Sequence, residues 1–409
     1  MIDFFRVLTV DEARERLFDS WKVTPMSCTR VGLQEALGRV LAKDVISDEH
    51  IPPYSRSTVD GYAVMAKDTF GATQSLPAVL SLVMDIHMGE VPTGLLLPGQ
   101  AARIPTGGVL PQGADACAMI EHTEALDGQT ILLERPLSPG ENIILRGEDI
   151  GKNEMIMKSG TVLRPQDLGS LAALGVTEVV VRKRPRVAVI ATGDEIVPPN
   201  TRPAPGQIRD MNSYSVAAMA KSFGAEPSIL GIAKDTYDDV RRLVEIGLTD
   251  TDFVTISGGT SVGTRDVVKR VLADLGPPGV IVHGVAVRPG KPVILAVTSG
   301  KPVLGLPGHP VSAMVAFNLF GKVILEALLD AKIPEQYVDA RLSRNVASAP
   351  GRQDHIRVSL REQDGTIWAD PVLGKSGLMA TMVTADGEIV IATEKEGLLA
   401  GSLVRVRVF

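Results

Sequence analysis

Apolar and polar positions follow two rhythms along the chain, and each change of rhythm marks a new unit. Val10, Ala13, Leu17 and Trp21 form a stripe at helical spacing, and Thr9 with Glu12 three residues later reads as the capping box that opens it. A second helix is predicted near 33–43 on the same logic. At Ile51-Pro52-Pro53 the chain becomes extended, because consecutive prolines forbid a helix interior. From there to about Leu145, short apolar runs are punctuated by turns such as Leu97-Pro98-Gly99 and Pro111-Gln112-Gly113, which predicts a β-rich unit. Helical pattern resumes at Arg164-Pro165, where proline suits a first turn.

From Arg186 onward the alternation is regular. Strands are predicted at 187–190, 228–232, 253–256, 280–287, 293–297 and 303–305. Helices fall at 215–223, 237–248, 267–275 and 310–329. Such alternation predicts a doubly wound α/β unit, a parallel sheet with helices on both faces, whose ligands sit at the carboxyl ends of the strands. The last part, from Tyr337 to Phe409, is strand-rich with turns at Asp364-Gly365 and Asp386-Gly387, and reads as a small β-barrel or sandwich. The fold class is therefore multidomain α/β plus β. A discontinuous N-terminal domain (1–46 and 146–178) is interrupted by a β-rich insertion (47–145); a central α/β domain (179–329) and a C-terminal β domain (330–409) follow.

Composition narrows the function without naming it. The 409 residues are 44% hydrophobic and 22% charged, an ordinary globular balance. Lys plus Arg number 42 against 48 Asp plus Glu, a net charge of −6 that argues against a general nucleic-acid binder. Cys28 and Cys117 have neither disulfide nor zinc spacing. The N-terminus lacks the basic-then-apolar pattern of a signal peptide, and no stretch reads as long and apolar enough to cross a bilayer. A cytoplasmic protein with no membrane and no nucleic-acid partner is expected. Walker A, GxGxxG, HExxH and nucleophile-elbow motifs are absent.

The most informative stretch is 253–275. Phe253 to Ile256 predict a buried strand, Ser257, Gly258, Gly259, Thr260, Ser261, Val262 and Gly263 a glycine- and hydroxyl-rich turn, and Val267 to Leu275 a helix. Free backbone N–H groups at a helix start suit a phosphate or other oxyanion. Asp266 in the first turn would repel that anion, which suggests a bridging cation such as Mg²⁺. Asp194, Glu195 and Asp235 also fall near carboxyl ends of predicted strands, where they could ligate metal or accept ribose hydroxyls. Each has an ordinary reading as well: acids cap helices and solvate turns. Arg288-Pro289-Gly290-Lys291 places two cations on a proline-bounded turn, suited to an oxyanion or simply to solvent. Leu306 to Ala313 is a second loop feeding a helix start; a lone His309 is a poor metal candidate.

The motifs taken together resemble the molybdopterin molybdenumtransferase family, the bacterial MoeA proteins and the E domain of gephyrin. RSTVDGYAV from Arg56, RIPTGG from Arg103, PQGADAC from Pro111, GED from Gly147, TGDE, SGGTSVGTRD, RPGKP and GLPGHPVSA occur in family order along essentially the whole chain. The resemblance implies a central molybdopterin-binding-like domain. It also implies insertion of molybdate into adenylylated molybdopterin with release of AMP, a divalent cation (Mg²⁺), and a homodimer that meets other proteins of molybdenum cofactor biosynthesis. Carried over residue by residue, it gives catalytic weight to Asp60, Glu195, Asp235, Asp266 and Lys291, with Asp235 and Asp266 as metal ligands. It gives substrate-binding weight to Thr106, Asp149, Ser257, Gly258, Gly259, Ser261, Arg288, Arg357 and Ser376. Departures are STVDGYA for SAMDGYA, His309 for asparagine in GLPGNP, Arg288 for a lysine, and Gly284 where a lysine is frequent. Two other readings compete: the adenylyltransferase that makes the activated pterin, and a non-catalytic scaffold homologue.

Overall fold

In a computed structural model, which describes residues 7–259 and 267–409, the central sheet is built from strands whose two faces are both apolar. These strands are β1 (Arg186–Thr192), β2 (Glu226–Ala233), β3 (Phe253–Ser257), β4 (Gly279–His283), β5 (Ile294–Thr298) and β6 (Lys301–Leu306), in the order β2-β1-β3-β6-β5-β4. Alternation within each strand sorts two cores. Val187, Val189, Phe253 and Leu304 pack on one side with helix Asn212–Ser222 and the long segment 310–329, while Ala188, Ile190, Val254 and Ile256 face helices Tyr237–Asp250 and Val267–Asp274 on the other.

The sheet is not wholly parallel. β5 runs antiparallel to both β6 and β4. The cause is the Ser299-Gly300 turn between β5 and β6, whose φ angles of 53° and 74° are those of a two-residue hairpin. Helix Val10–Ser20, capped by Thr9 and Glu12 as predicted (Glu12 N–H to Thr9 Oγ1 3.2 Å, Thr9 N–H to Glu12 Oε2 2.8 Å), buries Val10, Ala13 and Leu17 against the central sheet. The helix predicted at 33–43 does not form beyond a single turn at Leu33–Glu35. Gly38 at φ 70° breaks it, and Val40 and Leu41 instead bridge to Val162 and Val181.

Pro310–Leu329 corrects another expectation. Its 20 residues have a mean hydropathy of 1.6, long and apolar enough to cross a membrane, yet 83% of that apolar window is buried in the protein. It is a core helix, widened over Phe317–Gly321 to the i→i+5 pattern.

On either side of the central unit the chain is β-rich. Cys28–Gly32 pairs with Glu178–Arg182, and Val45–Ile46 with Met155–Met157, so the segments flanking the insertion meet each other. Within the insertion, a six-stranded sheet runs from Gly61 to Leu133. At the C-terminus, Gln353–Gln363 pairs with both Thr366–Pro371 and Gly387–Ile391, which closes a five-stranded barrel through Tyr337–Leu342 and Leu403–Val408. Val287–Arg288 adds to Gln353 and Asp354 in parallel, joining the central unit to the barrel by a backbone ladder.

Candidate active site

The carboxyl ends of β1, β3 and β6 meet the barrel around a cleft of about 1010 Å³. From the central unit come Glu195, Gly258, Gly259, Arg288, Lys291, Gly308 and His309. The barrel supplies Arg352, His355, Arg357, Lys375 and Ser376. Its charge is one-sided. Among the described residues, five lining cations (Arg288, Lys291, Arg352, Arg357, Lys375) face one lining carboxylate, Glu195.

Close backbone approach builds the floor. Gly258 follows β3 at φ 102°, its N–H donates to Leu306 O at 3.1 Å, and a Cβ there would collide with the Thr192 carbonyl oxygen. Ser257 before it is buried. The neighbouring loop is tied down by Asn212, whose Nδ2 donates to Gly308 O at 2.8 Å. His309 then caps the start of the long helix from outside, its Nδ1 2.8 Å from Ser376 Oγ, while Val311 N–H donates to Ser376 O at 3.2 Å.

The barrel wall carries charges that are buried rather than solvated. Asp354 is fully buried, accepts from Ser348 Oγ at 2.9 Å and Arg288 Nη1 at 3.3 Å, and lies 3.3 Å from Arg352 Nε. Glu388 Oε1 accepts from Arg407 Nη2 at 2.9 Å and Nε at 3.2 Å, and lies 3.2 Å from His355 Nδ1. Burial opposes ionisation of Glu388, but His355 and Arg407 overcome it and hold the carboxyl down at about 2. Arg357 donates from Nη2 to Gly374 O at 2.9 Å, and burial pushes its guanidinium below its usual range against the pull of Glu388.

The residues singled out in the sequence therefore divide into groups. Glu195, Gly258, Gly259, Arg288, Lys291, Arg357 and Ser376 line one cleft, with Ser257 beneath it. Asp235 stands past the end of β2, where its Oδ1 accepts from Thr192 Oγ1 at 2.7 Å and its N–H donates to Asp194 Oδ1 at 3.2 Å. A second hollow of about 480 Å³, lined by Asp194, Asp210, Tyr214 and Lys234, adjoins it. Asp60, Thr106 and Asp149 lie elsewhere, exposed on the insertion and its exit, with Thr106 N–H donating to Asp60 Oδ1 at 2.8 Å. Ser261 and Asp266 lie outside the described residues. Arg352, Asp354, His355 and Lys375 were not singled out. The first three lie in the segment GRQDHIR that ends on Arg357, so a charged cluster is visible there in the sequence.

The oxygen donors at Asp235 suit a hard divalent cation. Its Oδ2 has no partner among the described residues, Asp194 adjoins it, and both carboxylates and the Thr192 hydroxyl are the ligand types Mg²⁺ takes. Among the described residues no three His, Cys, Asp or Glu side chains converge as a full cage.

Comparison with known proteins places the whole chain. Residues 8–175 match the MoeA N-terminal region (domain I and II), 188–327 the family described as "Probable molybdopterin binding domain", and 339–409 the MoeA C-terminal region (domain IV). A molybdopterin molybdenumtransferase of Bacillus subtilis is 34% identical over 381 residues, 92% of this chain and 88% of its own. Another, from Nostoc, is 36% identical over 340 residues, 82% of this chain and 78% of its own. The crystal structure of a molybdopterin biosynthesis MoeA protein from Pyrococcus horikosii superposes with a TM-score of 0.79 at 37% identity, covering 98% of this chain and 99% of that one.

Proposed function

The chain belongs to the molybdopterin molybdenumtransferase family, and from that premise we propose that its cleft inserts molybdate into adenylylated molybdopterin, releasing AMP in the cytoplasm. One observation carries the reading: among the described residues, five cations stand against one carboxylate in a cleft large enough for a nucleotide-sized polyanion. Molybdate is a dianion and the pterin substrate brings phosphates and a dithiolene, so mutual repulsion is the first barrier to their meeting.

The chain's own groups offset that repulsion. Lys291 and Arg288 stand on a short turn, and Asp354 fixes the Arg288 guanidinium from behind. Gly258 and Gly259 line the space, and a Cβ on either would collide with Thr192 or Val268 behind it. Ser376, held by His309, closes the rim. Preorganised donors of this kind stabilise charge as it shifts from the oxo groups to the leaving phosphate. Glu195, which lines the same cleft, would orient the water that cleaves the adenylyl bond.

A Mg²⁺ held by Asp235 with Asp266, and supported by Asp194, would supply charge neutralisation for the phosphates. Asp60, Thr106 and Asp149 do not line this cleft, so we assign them to the cleft of a second copy in a homodimer. Docking of other cofactor-biosynthesis proteins belongs to the same reading.

The experiment is an insertion assay with adenylylated molybdopterin, molybdate and a series of divalent cations. AMP release coupled to cofactor formation, and its loss in Lys291→Ala, is the expected outcome. Pyrophosphate release from ATP and molybdopterin would instead identify the adenylyltransferase, and neither product would leave a scaffold.

A further inference from the structure

Four basic residues in five, Arg182-Lys183-Arg184-Pro185-Arg186, carry the chain into β1 at the amino end of the central sheet. A charge run is ordinarily a solvated face, and the two ends of this one are neutralised. Arg182 Nη2 donates to Asp330 Oδ2 at 2.7 Å, and Asp252 Oδ2 accepts from the Arg186 N–H at 2.8 Å and lies 3.6 Å from Arg186 Nε. The middle differs. Among the described residues no carboxylate comes within ion-pair distance of Lys183 or Arg184.

The fold brings a third cation to those two. Arg39, 143 positions before Arg182, donates from Nη2 to the Arg182 carbonyl at 2.9 Å, and among the described residues it too has no carboxylate at ion-pair distance. Backbone bonds hold the group together: Arg182 N–H donates to Val40 O at 2.8 Å and Lys183 N–H to Ser27 O at 2.9 Å. Burial first, and then the nearness of Arg184, push the Arg39 guanidinium below its usual range, with Glu35 pulling the other way. Like charges pressed together repel until an anion relieves them.

These side chains border a hollow of about 490 Å³ that also meets Met26, Glu226 and Asp252. Asp252 is committed to Arg186, and Glu226 is exposed with no ion pair among the described residues. The hollow is separate from the cleft. β1 is 7 residues long, so its amino end stands roughly 20 Å from the carboxyl end that faces the cleft. The two spaces share no lining residue among those described.

We propose that Arg39, Lys183 and Arg184 form a second anion site at the amino end of the central sheet, which takes a phosphate group, either free or as a phosphomonoester. Each guanidinium fork matches phosphate oxygens in pairs, and the Lys183 ammonium adds a point charge. Bound phosphate ties Arg39, from the N-terminal domain, to the segment that enters the central unit. The site goes beyond the insertase reading and does not depend on it.

Met26 gives a local readout, because it borders this hollow while no methionine lines the cleft among the described residues. Full-length protein labelled isotopically at its methionine methyl groups is titrated by NMR with inorganic phosphate, and in parallel with sodium chloride at matched ionic strength. The Met26 resonance, assigned by its loss in Met26→Leu, should move saturably with phosphate and not with chloride. In Arg39→Gln and in Arg184→Gln the apparent Kd should rise about tenfold or more, the effect of losing a charge-assisted hydrogen bond. Lys291→Ala, which alters the cleft, should leave the Met26 titration as it is. Insertion activity in phosphate-free buffer should be unchanged in Arg184→Gln. Repeating the titration with AMP separates the sources: a shift with AMP alone assigns a phosphomonoester, and a shift with phosphate assigns the free anion. No saturable shift with either, an equal shift with chloride, or an unchanged Kd in both arginine variants overturns the site.

Discussion

His309 Nδ1 lies 2.8 Å from Ser376 Oγ, so the residue that heads the long central helix holds a loop of the C-terminal barrel over the cleft. The family motif has asparagine at this place, whose amide atoms lie as many bonds from the backbone as the Nδ1 that makes the contact here. Val311 N–H to Ser376 O, at 3.2 Å, is a second and purely backbone tie. Removing the side chain should therefore loosen the loop without releasing it. His309→Ala is expected to lower kcat/KM for the pterin substrate about two- to tenfold, the worth of one hydrogen bond, with little change in Tm. Steady-state kinetics beside a thermal melt separates this from a folding defect.

Arg288 and Asp354 should respond to mutation in opposite currencies. Asp354 is fully buried beside Arg288, Arg352 and Ser348, so Asp354→Ala leaves a cavity and an unpaired Ser348 hydroxyl and should cost about 1–3 kcal/mol of stability in urea titration. The Arg288 side chain is 57% exposed, and Arg288→Ala should cost less than about 1 kcal/mol. Its effect should appear instead as weaker molybdate binding with a shallower salt dependence. Equal losses of stability in the two variants would contradict the assignment of Arg288 to the ligand and Asp354 to support.

Local signals explain what the sequence made legible. The Thr9–Glu12 box, the strand into Gly258, and Pro165 at a helix start each involve residues a few positions apart, and each appears where expected. The helix expected at 33–43 stops short because Gly38 turns the chain at φ 70°, and Val40 and Leu41 pair with residues over 120 positions away, which no local spacing encodes. The antiparallel β5 was readable in principle, since Ser299-Gly300 between two apolar runs is a hairpin signal. The barrel's charged wall was not. His355 meets Glu388 across 33 residues of chain, and within its own strand it sits in an alternating pattern that any half-buried residue could fill.

Acid should expose the contribution of that wall to stability. Glu388 is held at about 2, below its usual value near 4.5, so its stabilisation is complete above about pH 5 and disappears as pH falls toward 2. A depressed carboxyl binds its proton more weakly in the folded state, so the unfolded state gains protons first and stability falls with pH. The loss should be of order 3 kcal/mol between pH 5 and 2. Unfolding free energies of wild type and Glu388→Gln across that range should converge at the acid end. Parallel curves would mean that Glu388 is not the group responsible.

Metal dependence tests the acid at the end of β2. Asp235 has one oxygen tied to the Thr192 hydroxyl and one without a partner among the described residues, so Asp235→Asn removes charge while leaving the side chain's shape. The Mg²⁺ concentration for half-maximal insertion should rise about tenfold or more, with Tm nearly unchanged in metal-free buffer. Asp266→Asn should behave alike if both acids share the ion. Asp194→Asn, one step removed, should shift the requirement less.

The separation of Asp60, Thr106 and Asp149 from the cleft makes a prediction about assembly. Asp60 accepts from the Thr106 backbone on an exposed edge of the insertion, and neither residue lines the cleft that holds Lys291. If a second copy brings this edge to the first copy's cleft, each active site draws Asp60 from one chain and Lys291 from the other. Asp60→Ala and Lys291→Ala should then be inactive alone and recover activity when unfolded together and refolded as a mixture. Random pairing makes half the dimers mixed, and each mixed dimer carries one intact site, so about a quarter of wild-type activity is expected. Recovery that fails although mixed dimers form would place both residues in the same site of one chain or remove Asp60 from the chemistry.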